Sequence, residues 1–180
     1  MKMHETIEEC AVRELGEETK YIASDLKQFG VFSKVDRDPR YRVVTVAFYA
    51  LSEVRPVEGG SDAKEARWFP LGEELDLPFD HNEILKAAKQ RLHDDLYLRP
   101  VGFDLLPKIF SIPQLQRLYE TILDKSFDRR NFQKKMLSTK IVQRVDSTGI
   151  VEQKRTTILY SFNKEEYENL KKNGDFRIEF

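Results

Sequence analysis

Three observations predict an α+β protein built from two units. Helical and strand-like periodicities alternate through the first 96 residues, two amphipathic helices and a two-stranded ribbon follow, and the net charge changes sign between the two stretches. Residues 1–96 hold 14 Lys and Arg against 20 Asp and Glu, a net −6, while residues 97–180 hold 16 against 11, a net +5. An acidic unit is expected over 1–96 and a basic one, suited to an anionic partner, over 97–180. With 180 residues, 40% hydrophobic and 34% charged, the chain can build a core in each unit and is not fibrous or disordered in composition. The longest apolar run, Val43–Leu51, falls far short of the roughly 20 residues a membrane span needs. The lone Cys10 excludes a disulfide framework and a cysteine zinc site, and Met1-Lys2-Met3-His4-Glu5 opens no apolar signal segment. A cytoplasmic protein with no membrane partner is the expectation.

The elements follow in order. Glu5 to about Lys20 reads as a helix, with Ile7, Ala11 and Leu15 at i, i+4 and i+8 and Cys10 on the same apolar face. Tyr21–Val35 is strand-like around Gly30, and Val43–Leu51 is apolar enough to predict a central strand buried on both faces. Asp36-Arg37-Asp38-Pro39-Arg40 between them is a charged turn stiffened by Pro39, with Arg37 and Arg40 candidate contacts for an anionic effector. Arg55 to Lys64 is a loop, Trp68-Phe69 a short core strand stopped by Pro70, and Asp80 or His81 starts a helix facing inward with Ile84, Leu85, Ala88 and Leu92.

From Leu96 to Phe110 the chain reads as a packed connector. Ser111 then caps a helix whose Leu115, Leu118, Tyr119, Ile122 and Leu123 give the cleanest amphipathic pattern in the protein. A second helix runs roughly from Arg129 to Thr139, followed by a strand at Ile141–Val145, a turn at Ser147-Thr148-Gly149, and a strand presenting Ile158, Tyr160 and Phe162 on one face. Helix, helix, ribbon is the order of a winged helix-turn-helix. Lys125 to Arg155 carries nine basic residues against three acids. In its second helix Phe132 and Met136 should face the core, while Arg129, Arg130, Asn131, Gln133, Lys134 and Lys135 supply basic and amide groups for phosphates and base edges. Lys154 and Arg155 would sit at the wing.

The first helix breaks a local rule. Glu14, Glu17 and Glu18 cluster near its C-terminal end, where the helix dipole disfavours negative charge, and Glu14 and Glu18 repel at i, i+4. Such carboxylates call for a cation, and Mg²⁺ or Mn²⁺ takes oxygen ligands of this kind. The pattern equally suits a solvated helix in which Arg13 pairs with Glu9 and Glu17.

Glu5, seven residues, then Arg13-Glu14-Leu15-Gly16-Glu17-Glu18 resembles the Nudix box. The resemblance implies an α/β/α sandwich with a mixed sheet, metal ligands or a catalytic base among Glu14, Glu17 and Glu18, and a Glu5–Arg13 pair bracing the loop-helix-loop. The final Gly of that pattern falls on Lys20, with Tyr21 at its aliphatic position. Its first Gly would lie before Met1, and the preceding strands are absent, so the first domain is expected to be incomplete at its N-terminus, as in a fragment. Pro100-Val101-Gly102-Phe103-Asp104-Leu105-Leu106-Pro107-Lys108, Gln114-Leu115-Gln116-Arg117-Leu118-Tyr119-Glu120 and Asp128-Arg129-Arg130-Asn131-Phe132 are similar to the winged-helix half of Nudix-related transcriptional regulators, the NrtR-like family. Asp36 to Arg42 with Val43-Val44 is similar to the segment that follows the box there. This second resemblance implies a homodimeric regulator of operator DNA whose Nudix unit senses ADP-ribose, a related nucleotide, or arabinose. The alternative is a Mg²⁺-dependent hydrolase of nucleoside diphosphate derivatives such as ADP-ribose.

Overall fold

Thr6 fixes the start of the first helix. Its hydroxyl accepts from the Glu9 N–H while the Glu9 carboxylate accepts from the Thr6 N–H, a reciprocal capping box. Helix α1, Ile7–Thr19, ends at Lys20 in the left-handed region, whose N–H closes on the Gly16 carbonyl at 3.0 Å. In this computed structural model the described residues are 1–22, 26–52, 54, 56–59, 65–145, 151–152, 155–156, 158–174 and 177–178. The chain divides into two units, Met1–Arg91 and Leu92–Phe180.

In the first unit, β1 (Leu26–Phe32) and β2 (Thr45–Ala50) form an antiparallel pair, with the register shifted between Gln28 and Gly30. The expectation of a central strand buried on both faces is not met. Among the described residues β2 pairs with β1 alone, and Ala47 is its one buried residue. The run is apolar because Thr45, Val46, Phe48, Tyr49 and Ala50 line a cavity rather than a packed core. Trp68-Phe69 belongs to no described strand, and Trp68 is 49% exposed. Pro70 cannot donate to a ladder, and the indole spends its apolar area on the cavity wall instead of a core. Helix α2 begins at His81 and runs to Leu98, so the division at Arg91 and the expected one near Leu96 both fall inside it.

The second unit holds most of the buried side chains. A short α3 (Gly102–Leu105) leads to α4 (Ile112–Leu123), capped by Ser111 and Gln114 with Pro113 in the first turn. Then come α5 (Arg129–Ser138), β3 (Val142–Arg144), β4 (Val151–Glu152), β5 (Arg155–Thr156), β6 (Tyr160–Phe162) and α6 (Lys164–Asn173). β3 and β6 are antiparallel, Val142 opposite Phe162, and Phe110 adds a bridge to Tyr160 through paired backbone bonds of 2.9 and 2.8 Å. β4 and β5 make a separate antiparallel pair. The core gathers Leu96, Val101, Phe110, Leu115, Tyr119, Phe132, Met136, Ile141 and Ile178. Tyr160 is buried on the ribbon face as expected, but Ile158 lies before the strand and is exposed, because pairing with Arg144 begins only at Tyr160. The turn expected at Ser147-Thr148-Gly149 lies outside the described residues.

α6 is an addition to the helix, helix, ribbon order that the sequence predicts. It is capped by Asn163, whose side chain accepts from the Glu166 N–H, and stopped by Gly174 at φ 72°. The chain after it returns Ile178 to the core, where its N–H donates to the Tyr97 carbonyl at 2.9 Å. Among the described residues no helix is long and apolar enough to cross a membrane.

Candidate functional site

The capping box commits Glu9 to the Thr6 backbone, so the expected Arg13–Glu9 pair does not form. Arg13 is instead the hub of an acidic cluster. Its Nε and Nη2 hold both oxygens of Glu5, at 2.9 and 2.7 Å, in a fork-on-fork bond. Nη2 also reaches Glu14 at 2.7 Å and Nη1 reaches Glu17 at 2.8 Å. The hydrogen bond from Arg13 holds the Glu5 carboxyl at about 2, far below the usual 4.5, and the Glu5 and Glu14 carboxylates push the guanidinium further up. Arg13 thus supplies a cation to Glu14 and Glu17 from within the helix, and Glu18 is not among its partners.

Since the folded-state pKa of Glu5 is depressed, its contribution to stability is fully present above pH 4.5 and is lost as pH falls toward 2. Melting temperature measured by circular dichroism should fall across that window, and Glu5→Gln should flatten the dependence while lowering stability at neutral pH. An unchanged acid profile in Glu5→Gln would remove the pair from the stability of α1.

A cavity of about 670 Å³ opens beside this helix. α1 contributes Ala11, Glu14, Leu15, Glu18 and Thr19, β2 contributes Thr45 to Ala50 without Ala47, and Ala66, Arg67 and Trp68 close another side. Trp68 and Tyr49 present aromatic surface, Arg67 a cation, and Glu14 and Glu18 two carboxylates, a set that accommodates a planar ring joined to a charged tail. Glu17 is turned to Arg13 and does not line the cavity. Among the described residues no three His, Cys, Asp or Glu side chains stand together closely enough to hold a metal ion. The residues as placed do not fit a three-carboxylate ion site.

Arg37 and Arg40, expected at an anionic effector, do not line the cavity either. Arg37 is buried, with Nε and Nη2 on the two oxygens of Asp80 at 2.8 Å each and Nη1 on the Thr45 hydroxyl. Arg40 is exposed, pairs with Asp38 at 2.8 Å and lies over the Phe79 ring at 5.0 Å.

In the second unit, Asp128 caps α5 by accepting from the Asn131 N–H at 2.9 Å. Phe132 and Met136 are buried, with the Phe132 ring 5.6 Å from both Tyr119 and Phe127. Arg129, Arg130, Asn131, Lys134 and Lys135 are exposed. Gln133 is half-buried, with its amide 3.5 Å from the Tyr160 hydroxyl, so it faces the ribbon rather than outward. The turn from α4 into α5 is clamped by α4 itself. Gln116 donates to the Phe127 carbonyl and Glu120 accepts from the Phe127 N–H, both at 2.9 Å, after Asp124 adopts φ 47°. Gln116 and then the Phe127 N–H lower the Glu120 pKa. Lys154 lies outside the described residues, and Arg155 starts β5 opposite Glu152, with its side chain outside the described set.

Comparison with known proteins agrees with this division. Residues 1–91 match the NUDIX domain and residues 102–162 the NrtR DNA-binding winged helix domain. The ADPR responsive transcriptional repressor NtrR of Acinetobacter baylyi is 31% identical over 162 residues, which cover 88% of this chain and 64% of that protein. The ADP-ribose pyrophosphatase of Methanocaldococcus jannaschii is 43% identical over 82 residues, 46% of this chain and 48% of the enzyme. This chain thus spans less than two thirds of either relative. The crystal structure of Shewanella oneidensis NrtR complexed with a 27mer DNA superposes with a TM-score of 0.68 at 23% identity, covering 92% of this chain and 77% of that one, and shares the fold. The sandwich-type first domain and winged-helix second domain expected from the sequence are accordingly the right fold classes, and the chain belongs to the Nudix family, with a winged helix of the NrtR type matched over residues 102–162.

Proposed function

We propose that this chain is a ligand-responsive transcriptional regulator working in the cytoplasm as a homodimer, with α5 reading operator DNA and the cavity beside α1 holding the effector. The observation that carries the reading is the exposed basic face Arg129, Arg130, Asn131, Lys134 and Lys135, anchored from behind by Phe132 and Met136. Lys154 and Arg155 would add contacts from the wing. An ADP-ribose-like nucleotide suits the cavity better than arabinose. Trp68 and Tyr49 offer stacking surface for a base and Arg67 a partner for a diphosphate, whereas a free pentose would leave the aromatic walls unused. The relative in Acinetobacter baylyi is described as ADPR responsive, which supports the same choice.

The test is fluorescence anisotropy of the full chain on DNA upstream of its own operon, in a salt series, with ADP-ribose or arabinose added. Submicromolar affinity that falls steeply with salt and shifts with ADP-ribose is expected. Equal affinity for random DNA would overturn the reading.

Hydrolysis of ADP-ribose-like diphosphates is the second reading, favoured by the 43% identity to the Methanocaldococcus jannaschii pyrophosphatase over 82 residues. Nudix hydrolases generally use divalent cations, and Mg²⁺ or Mn²⁺ at Glu14, Glu17 and Glu18 would require Arg13 to release Glu14 and Glu17. This reading predicts turnover that Glu17→Gln or Glu18→Gln abolishes. No product from ADP-ribose in the presence of either metal would dismiss it.

A further inference from the structure

Charge on the cavity wall is unevenly matched. Among the described residues that line it, Glu14 and Glu18 are the carboxylates and Arg67 is the one cation. Other arginines of the first unit are engaged by oxygen acceptors. Arg13 holds Glu5, Glu14 and Glu17, Arg37 holds Asp80, Arg40 holds Asp38, and Arg42 donates to the carbonyls of Ser33 and Lys34 at 2.8 and 3.0 Å. Arg67 differs. Among the described residues it has no carboxylate partner, and its guanidinium lies over the ring of Phe69, 4.7 Å from the centroid.

Stacking of this kind uses the face of the guanidinium and leaves its N–H donors, which point outward in the plane of the group, unspent. An unsupported arginine gives up rotamer freedom when it meets a ligand, whereas one already held on a ring has given it up beforehand. The ring is itself fixed by its successor. Pro70 confines the backbone of Phe69 to extended conformations, and the Pro70 carbonyl accepts from the Glu73 N–H at 3.0 Å, closing the turn behind it. Phe69 is 41% exposed and is not among the residues that line the cavity, so neither core packing nor direct ligand contact accounts for its ring.

The geometry points to Phe69 as a positioning residue that holds Arg67 as a preformed anion subsite on the cavity wall, giving the cavity a preference for ligands with a phosphate or diphosphate over neutral nucleosides and sugars. This deepens the reading of the cavity as the effector site and rests on it. The in-plane donors of a guanidinium match phosphate oxygens in pairs, so Arg67 meets the ligand directly. Phe69 acts through Arg67 alone. Substitutions at the two positions must therefore fail to add, since a platform without its arginine has nothing left to position.

The experiment measures ADP-ribose affinity by calorimetry for the full chain and for Arg67→Gln, Phe69→Leu, Phe69→Tyr and the double variant Arg67→Gln with Phe69→Leu. Both positions are exposed, so the variants should fold, which circular dichroism melts verify. Arg67→Gln removes charge-assisted bonds to phosphate and should weaken binding about 10- to 100-fold. Phe69→Leu should weaken it about 3- to 10-fold, the range for immobilising one long side chain. Phe69→Tyr keeps the aromatic face and should bind within about twofold of the native chain. The double variant should be no weaker than Arg67→Gln, within about twofold. Adenosine, which carries the base without phosphates, should bind the native chain and Phe69→Leu equally, within about twofold. Losses that multiply in the double variant, a Phe69→Leu that binds like the native chain, or an equal loss for adenosine and ADP-ribose would each show that the ring does not act through Arg67. If Arg67→Gln binds ADP-ribose like the native chain, the subsite is wrong while the cavity stands as the effector site. If the native chain binds no ADP-ribose, the effector reading fails and the subsite with it. Should Phe69→Leu not fold, Phe69→Met in the same pairing with Arg67→Gln decides.

Discussion

Arg130→Ala with Lys134→Ala should weaken binding to duplex DNA about 10- to 100-fold near physiological salt, and should shrink the slope of log affinity against log salt by about 2. Both side chains are exposed on α5, one turn apart and on the side away from Phe132 and Met136. Each neutralised phosphate contributes close to one unit of salt slope, so two lost contacts must appear in the slope as well as in the affinity. A loss of affinity with an unchanged slope would mean that the helix had been disturbed rather than its contacts removed. Asn131→Ala should behave differently, relaxing the preference between operator and random DNA with little effect on the slope. Salt titrations of the three proteins on operator and scrambled duplexes separate these cases.

Gly102→Ala should destabilise the second unit by about 1–3 kcal/mol, with a matching loss of melting temperature. A β-carbon at Gly102 would lie 2.6 Å from Phe162 Cζ and 3.3 Å from Leu115 Cδ1, closer than carbon atoms approach without one of them moving. The phenyl ring is not free to swing away. It is packed at centroid distances of 4.4 Å on Phe103 and 4.6 Å on Phe110. Phe110 in turn carries the backbone bridge to Tyr160, so strain at Gly102 spreads into the ribbon. Gly102→Ala combined with Phe162→Leu should recover part of the loss in thermal melts, because the smaller side chain vacates the contact. An alanine variant as stable as the native chain would show that the ring has room to move.

The parts legible in the sequence are those whose causes lie within a few residues. Ser111 and Asp128 announce the starts of α4 and α5, and the spacing of Leu115, Tyr119, Phe132 and Met136 gives their inner faces. The Glu5–Arg13 pair was legible because both residues belong to a recognisable pattern. The burial of Arg37 is not legible because its partner Asp80 is 43 residues away, and nothing near Arg37 in the sequence marks it for burial. The apolar run of β2 was misjudged for a related reason, since a cavity wall and a packed core select the same side chains. α6 escaped because its composition is dominated by Lys and Glu, leaving Asn163 and Gly174 as its local marks. Gly102 looks like any loop glycine until the ring of Phe162, 60 residues later, is placed against it.

On the proposed regulator reading, the bonds from Gln116 and Glu120 to the backbone of Phe127 would set the terms on which DNA is met. They tie the turn ahead of α5 to α4, so α5 would present its side chains at a fixed pitch before any encounter. Little ordering entropy is left to be lost on association. Encounter should then be governed by long-range attraction, with an on-rate that falls smoothly with ionic strength and a heat-capacity change no larger than the contact area requires. Discrimination between sequences would appear in residence time rather than in the rate of arrival.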